Sequence, residues 1–401
     1  MEARRFLQDR VMRIAVISVV VLLVMGFAVI SYPSPQGGKS NATDFATFYC
    51  AGRMVRQGLG HRLYDVAEQS RCLSEVQSVG VYYLRPPFES LLFVPLSYLG
   101  YHRAYLLWTL ASVLMLVVSA HFIDRETAVS STLTRYTGVR ADLGLLVGIF
   151  VTFSPFTTGL VLGQDATLVL LIYTLAFVLL RRRQEFGAGL ALGCALFKFP
   201  LVFPLALILL LRRKWRVLAG LGASGVFLAL VSVAMCGRQV LSQYPRFLRN
   251  PDPYLNLLGL KPTYMPNVRG LLTLLLGGFG SPQSISILTA VFSLALIGLA
   301  ARFWTDDQPQ RSLGVALLAA LLSTYHLHNY DLTLLLLAVP LVWNERLSRT
   351  AKWAVVTLLI SPLHLFLIAH GVYALMVLPV AGVLAGAISV LRTEGASPSS
   401  S

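Results

Sequence analysis

Acidic residues are scarce in this chain, 18 Asp and Glu among 401 residues against 33 Lys and Arg, and charged residues of both signs make up only 13%. So little charge over such a length excludes a disordered chain and a soluble globular domain of ordinary composition. Cysteine is scarcer still. Four of them, with no CxxC and no HExxH, are too few for a disulfide-stapled scaffold or a metal cluster, so neither structural nor catalytic zinc is expected. Internal repeats are absent as well, and no polar tract is long enough to form a separate soluble domain.

What the sequence has in excess is apolar surface. Apolar residues reach 56% and mean hydropathy is +0.70, arranged in repeated runs of the length needed to cross a bilayer. The expected fold is an all-α polytopic membrane protein of about ten to thirteen transmembrane or partial helices. The formal charge of +15 would suggest nucleic acid in a soluble protein. Here the basic residues cluster at the ends of apolar runs, which is the positive-inside pattern, so the partner is a lipid bilayer and not nucleic acid. MEARRFLQDRVMR puts the N-terminus in the cytoplasm. It resembles the basic start of a signal peptide, but no small-residue cleavage site follows Val29, and the first span, Ile14 to Tyr32, is expected to be retained.

That span delivers the chain outside at Pro33, and residues 33–86 form the longest polar segment. Within it, Asn41 to Leu59 reads as a short helix. Asn, Thr and Asp ahead of Phe45 are good N-caps, and Gly58 is a C-cap. Phe45, Phe48, Tyr49 and Val55 share a face with Arg53, Arg56 and Gln57 turned away, the pattern of a helix lying on a membrane surface. Asp44 would then sit at the water–lipid boundary, where partial desolvation favours the protonated carboxyl and makes the ionised one a better base; as a helix cap it would do none of this. Cys50 and Cys72 share the same outer loop, where an oxidising compartment allows them to pair, while Cys194 and Cys236 lie in apolar runs as packing residues. Asn41-Ala42-Thr43 fits a glycosylation sequon. Further on, the prolines of Tyr82-Tyr83-Leu84-Arg85-Pro86-Pro87-Phe88 fix an extended entry into the next helix.

The path from Pro87 to Asp142 is harder to trace, with a short apolar stretch to Gly100, a full-length one from Ala104 to Phe122 and a mixed-charge segment behind it. An apolar run to Phe153 then leads to Gly163-Gln164-Asp165. The span after that turn ends at Arg181-Arg182-Arg183, which places the arginines inside and the turn outside. A second basic cluster, Arg212-Arg213-Lys214-Trp215-Arg216, follows an apolar run broken at Lys198 and Pro200. Both clusters belong on the cytoplasmic side, so two half-helices meeting at Lys198-Phe199-Pro200 are expected rather than one crossing. An intramembrane Lys is costly, about 2.5–3.5 kcal/mol on insertion scales, and so a functional candidate unless it snorkels to the headgroups. Val217 to Met235 returns outside to a Pro-, Tyr- and Asn-rich loop, Gln239 through Asn267. Ile285 to Phe303 runs inward and Leu313 to Thr324 outward, which makes Tyr325-His326-Leu327-His328-Asn329-Tyr330-Asp331 an outer turn. The chain ends inside, with residues 393–401 as a disordered tail.

Charge bookkeeping therefore brings Asp44, Tyr83, Arg85, Gln164, Asn267, Arg269, His326, His328 and Asp331 to one outer face. Alone, an outer His or Arg is a solvated loop residue or a headgroup anchor. Together they supply a base, cations and polar ligands for a sugar or phosphate at the membrane boundary.

The ordered set of short motifs, Asp44-Phe45-Ala46-Thr47-Phe48-Tyr49-Cys50-Ala51-Gly52, Tyr64-Asp65, Arg85-Pro86-Pro87-Phe88, Gly163-Gln164, Lys198 with Pro200, Asn267-Val268-Arg269-Gly270 and His328-Asn329-Tyr330-Asp331, resembles glycosyltransferase family 87, of the GT-C fold class. The family includes mycobacterial mannosyltransferases that take mannose from a polyprenyl phosphate and build α-1,2 linkages outside the cell. Those enzymes tend to carry a Ser-Trp and paired-His motif where this chain has Tyr325 to Asp331, so the resemblance implies fold and reaction more firmly than the sugar. It implies an inverting hexosyltransferase using a polyprenyl phosphate sugar and a glycolipid or glycan acceptor, in the plasma membrane with its active site extracytoplasmic. Asp44 would be the general base; Lys198, Arg269, His326 and His328 would hold the donor phosphate; Tyr49, Tyr83, Arg85, Gln164, Asn267 and Asp331 would read the sugar or acceptor. The phosphate is already a competent leaving group and no acidic pair suits a divalent ion, so no cofactor or metal is expected. A transporter or flippase for a lipid-linked sugar also suits broken helices and a buried Lys, but it calls for an internal pseudo-symmetry that the sequence lacks. A non-catalytic scaffold leaves the convergence of Asp, His and Arg unexplained.

Overall fold

The computed structural model describes residues 43–76, 82–249 and 261–396. The expected first span, the N-terminal segment and the sequon's Asn41 lie outside the described residues. Within them the chain is helical, and several helices are long and apolar enough to cross a bilayer, among them Tyr101–Thr127, Trp215–Cys236, Pro282–Arg302 and the run Tyr373–Glu394. It is an all-α polytopic membrane protein. Pro309–Ser323 stands at its centre with its whole apolar stretch from Leu313 onward buried. It packs against Pro282–Arg302, Leu335–Val342, Phe199–Leu211 and Val377–Ala396. A helix apolar all round belongs inside. The outer helices instead expose bands of large apolar side chains, such as Ile287, Val291 and Phe292 on one and Val226, Phe227 and Leu230 on another, as lipid-facing helices do.

Residues 185–211 are apolar enough for one long crossing, yet they double back. Lys214 Nζ lies 3.8 Å from Glu185 Oε1, whereas a straight helix of this length would hold its ends about 40 Å apart. The two arms, Glu185–Cys194 and Phe199–Leu211, meet at a 3-10 turn, Ala195–Lys198. Pro200 sits in the first turn of the second arm, where its missing N–H costs nothing. The first arm runs alongside Trp215–Cys236 with backbones nearly touching: a Cβ at Gly189 would be 1.9 Å from Val217 O and one at Gly220 2.1 Å from Phe186 O. Small residues that let backbones approach are how helices associate in lipid, where apolar surface gives no driving force. Lys198 thus stands at the apex of a re-entrant hairpin fixed at its base.

Two further helices break sharply, each at a Ser-Pro. Leu143–Thr152 meets Ser154–Leu162 at 72°, and Arg349–Leu359 meets Ser361–Ala369 at 70°. The breaks lie against each other. The Ser361 hydroxyl accepts a hydrogen bond from Ser154 N at 3.0 Å and donates to Thr152 O at 2.6 Å, taking up backbone groups that the first break frees and that lipid would leave unsatisfied. His364, fully buried, bonds Tyr373 Oη at 2.7 Å and Leu358 O at 2.8 Å across the second break.

Three expectations need correction. The Asp44 helix, Asp44–Arg56, does not lie on a lipid surface. Phe45 through Gly52 are all buried, enclosed by Ser90–Phe93, Leu96–Tyr98 and Val66–Glu75, because Ala46 and Ala51, off the aromatic face, are small enough for neighbours to close over them. Gly52, among the aromatics, lets the Phe93 backbone come close, a Cβ there being 2.5 Å from Phe93 C. Cys50 and Cys72 are bonded, with Cα atoms 5.8 Å apart, which fastens this helix to Val66–Glu75. The loop expected from Gln239 to Asn267 contains a helix, Val240–Arg249. The last helix continues through Ala396, past the expected start of the tail, with Glu394 paired to Arg311 and Arg346.

Candidate active site

Asp44 is the first residue of its helix and does not cap it. Thr43 holds the capping position, and the Asp44 carboxylate points across the molecule to accept a 2.5 Å hydrogen bond from Gln164 Nε2. Gln164 follows Gly163, whose φ of +67° turns the chain from Ser154–Leu162 into Ala166–Arg181. A side chain at Gly163 would also strike Phe45, its Cβ coming within 2.5 Å of that residue's Cβ. The turn is clamped by Tyr101–Thr127, from which Trp108 Nε1 donates to Gly163 O at 3.0 Å and the Tyr105 hydroxyl to Val161 O at 2.5 Å. Burial raises the pKa of Asp44 above the ordinary carboxylate value, against the opposing pull of the Gln164 bond and of Arg85.

Behind Asp44 lies an enclosed cluster of charge. Lys198 Nζ is 2.5 Å from Asp165 Oδ1 and 2.6 Å from Asp331 Oδ1, and Arg85 is 3.5 Å from Asp165 Oδ2. Asp331 also accepts from His328 N at 2.9 Å, which secures the start of Asn329–Leu334. Burial disfavours the Asp165 charge, but Lys198 and Arg85 overcome it and hold this carboxyl below its ordinary pKa. Lys198 faces protein, not lipid, and two carboxylates match its charge. The backbone that carries Arg85 is held by phenols: Tyr64 donates to Arg85 O at 2.8 Å and Tyr83 to Pro86 O at 2.8 Å.

On the other side of Asp331 the turn from Tyr325 to Asp331 is pinned by Asn267. Its side chain is fully buried, accepting from Gly270 N at 2.8 Å and donating to Thr324 O at 2.8 Å. Thr324 in turn donates to Pro200 O at 2.6 Å, which ties the turn to the re-entrant hairpin. Arg269, next to Asn267, stacks over the Tyr325 ring at 4.0 Å. The Nε2 atoms of His326 and His328 are 3.0 Å apart. Burial, and for His328 also its partner, pushes these imidazoles down to pKa values of about 4 and about 3, so both are neutral near pH 7. Among the described residues no carboxylate lies within ion-pair distance of Arg269, which leaves it as the cation with charge to spare.

The structure therefore gathers Asp44, Gln164, Arg85, Lys198 and Asp331 into one cluster, with Arg269, His326 and His328 beside it. Tyr83 stands beside the cluster, its hydroxyl donating to Pro86 O at 2.8 Å, and Asn267 spends both ends of its amide on backbone. Tyr49 is not brought there, its ring packing against Phe45 and Tyr101 and its hydroxyl donating to Leu99 O at 2.8 Å. Sequence reasoning missed Asp165, Glu89 and Tyr330, whose ring lies 4.9 Å beneath the Lys198 ammonium. A signal was present for the carboxyls: each is a lone acidic residue bordering an apolar run, where an ionisable group is costly and so informative.

Ionisable side chains from five separate segments meet at one enclosed point, with Lys198 supplied by the re-entrant hairpin, which makes this a polytopic membrane protein with a buried polar site. The family model of glycosyltransferase family 87 matches residues 83–327, and the chain belongs to that family; it is a membrane glycosyltransferase. Asp44 and Asp331 lie outside the matched segment. No curated protein and no solved structure matches the chain.

Proposed function

We propose that the protein transfers a sugar, mannose in the first instance, from a polyprenyl phosphate to a glycolipid or glycan acceptor, with inversion and on the extracytoplasmic face of the plasma membrane. The observation that carries this is Asp44: a carboxylate held by a neutral amide, with no ion pair among the described residues, beside a cluster whose other charges are matched. Such a group is free to take a proton. An Asp44 carboxylate oxygen takes the proton of the acceptor's hydroxyl as the hydroxyl's own oxygen attacks the anomeric carbon; the bond from that carbon to the phosphate oxygen breaks, and its electron pair leaves with the polyprenyl phosphate. Arg269 offers a planar fork for the departing phosphate, and the neutral His326–His328 pair adds N–H donation. Lys198 then serves by holding Asp165 and Asp331, having no surplus charge for the donor. No step calls on a metal, because the leaving group needs only charge stabilisation.

The extracytoplasmic assignment rests on charge. Arg181 to Arg183 and Arg212 to Arg216 flank the base of the re-entrant hairpin, opposite Lys198 at its apex, and such clusters stay in the cytoplasm. The test is transfer by the purified protein in lipid nanodiscs, offered a set of radiolabelled polyprenyl phosphate sugars and an envelope-lipid extract. Product from one of these donors supports the reading. Turnover with nucleotide sugars alone ends it.

A further inference from the structure

Glu89 takes no part in the chemistry above, yet its environment is the most demanding in the molecule. It lies in the short turn Pro87–Glu89 with no exposed surface, and among the described residues neither of its carboxyl oxygens has a hydrogen-bond donor. Asp165 is equally enclosed; Lys198 and Arg85 approach it as ion pairs, but no aligned hydrogen bond reaches its oxygens. The two carboxyl groups lie within hydrogen-bonding reach of each other. Facing Glu89 are Arg85 from its own segment, Asp165 from the turn before Ala166–Arg181, Lys198 from the hairpin apex, and the phenols of Tyr64, Tyr83 and Tyr244.

Arg85 and Lys198 bring two positive charges, which Asp165 and Asp331 already match. An ionised Glu89 would add an unmatched negative charge, pressed against Asp165 with no N–H aimed at it. Two carboxylates sharing a site do not both ionise. One proton between them removes the conflict, and it belongs on Glu89, because Asp165 touches both cations and Glu89 forms no ion pair. We infer that Glu89 is a carboxylic acid at neutral pH, donating its proton to Asp165, and that this shared-proton pair makes Glu89 a positioning residue for Asp165 and, through it, for Arg85 and Lys198. Burial, the largest influence on Glu89, acts in the same direction by raising its pKa well above the ordinary value. Of Asp44, Glu89, Asp165 and Asp331, Asp44 alone is then outside any ion pair or shared proton. That consequence for catalysis rests on the reaction proposed above; the protonation itself does not.

Infrared spectroscopy of the full-length protein in nanodiscs reads the acid directly. At neutral pH the wild type is expected to show the C=O stretching band of a protonated carboxyl, retained in Asp44→Asn and lost in Glu89→Gln. Because the folded protein holds this proton more tightly than the unfolded chain, wild-type thermal stability falls as pH rises through the raised value, and that slope disappears in Glu89→Gln. The wild-type transfer rate is expected to fall on the alkaline side as Glu89 ionises, and to lack that fall in Glu89→Gln, whatever its absolute size. If Glu89→Gln does not fold, Asp165→Asn reads the same point: Glu89 then faces Arg85 and Lys198 without a rival, ionises, and the band vanishes. A wild type without the band, or a band unchanged by both substitutions, overturns the inference. A transfer assay that fails with every polyprenyl phosphate sugar refutes the proposed reaction but leaves the infrared result standing.

Discussion

Replacing Asp44 by Asn separates a base from a structural carboxylate, and the structure sets the size of each effect. Asp44 Oδ2 accepts from Gln164 Nε2 at 2.5 Å, while Gln164 Oε1 is buried with no partner among the described residues. An Asn at 44 keeps an acceptor for that amide and brings an N–H that can satisfy the orphaned oxygen. A hydrogen bond of this kind contributes about 0.5–1.5 kcal/mol net, so the melting temperature should hold or rise. Asp44→Ala instead strands the Gln164 amide, at a cost of about 1–3 kcal/mol. Catalysis should not follow that ranking: loss of a general base lowers the rate by about 10²- to 10⁴-fold in either variant. The pH profile supplies an independent check. Wild-type kcat/KM should fall as pH drops through the pKa of Asp44, which burial places above the ordinary 3.8, and Asp44→Asn should lack this acid limb. The assay is single-turnover sugar transfer in nanodiscs, with donor binding measured alongside. Near-wild-type transfer by a well-folded Asp44→Asn protein would refute the argument and move the search for the base elsewhere in the cluster.

Lys198→Met should cost about 3–5 kcal/mol, because it leaves Asp165 and Asp331 facing each other without their shared cation; an unchanged melting temperature would show that the pairing is not structural. Arg269→Lys should raise the donor KM more than it lowers kcat, since an ammonium keeps the charge but loses the fork and the stacking on Tyr325, and equal donor affinity in the two proteins would remove Arg269 from the phosphate site. Mass spectrometry without reduction should find Cys50 joined to Cys72. Closing that 22-residue separation contributes about 3 kcal/mol in the chain-entropy treatment, so Cys72→Ser with undiminished stability would show that the link constrains little.

Much of the architecture could be read in the sequence because lipid is a strict solvent. Basic clusters at 181–183 and 212–216 demanded that the chain between them turn back, and Lys198 Pro200 marked where. The enclosure of the Asp44 helix could not be read this way, since the small residues that let neighbours close over its second face look neutral in a hydrophobic pattern. The same limit applies to the site. Asp44, Gln164 and Asp331 were recognisable from their motifs, but which of them holds which is decided by segments more than a hundred residues apart, as with Gln164 and Asp44. Lys198 illustrates the point most sharply: a lone ammonium in an apolar run invites an anionic ligand, and only its position at the hairpin apex reveals that Asp165 and Asp331 already serve as one.

The Ser361 hydroxyl has a reach beyond its own helix. By bonding Ser154 N and Thr152 O it makes the two Ser-Pro breaks a single mechanical joint, so that neither bent helix can swing without carrying the other. Ser154–Leu162, on the far side of that joint, rests Gly159 against Tyr330, one residue from Asp331. The stretch after residue 327, outside the segment matched to the family, is therefore a brace for the charged cluster around Lys198 as well as a source of helices apolar enough to cross a membrane. A fragment cut to the matched segment would lose the brace along with Asp331, and a change confined to residue 361 would be felt where Lys198 meets its carboxylates.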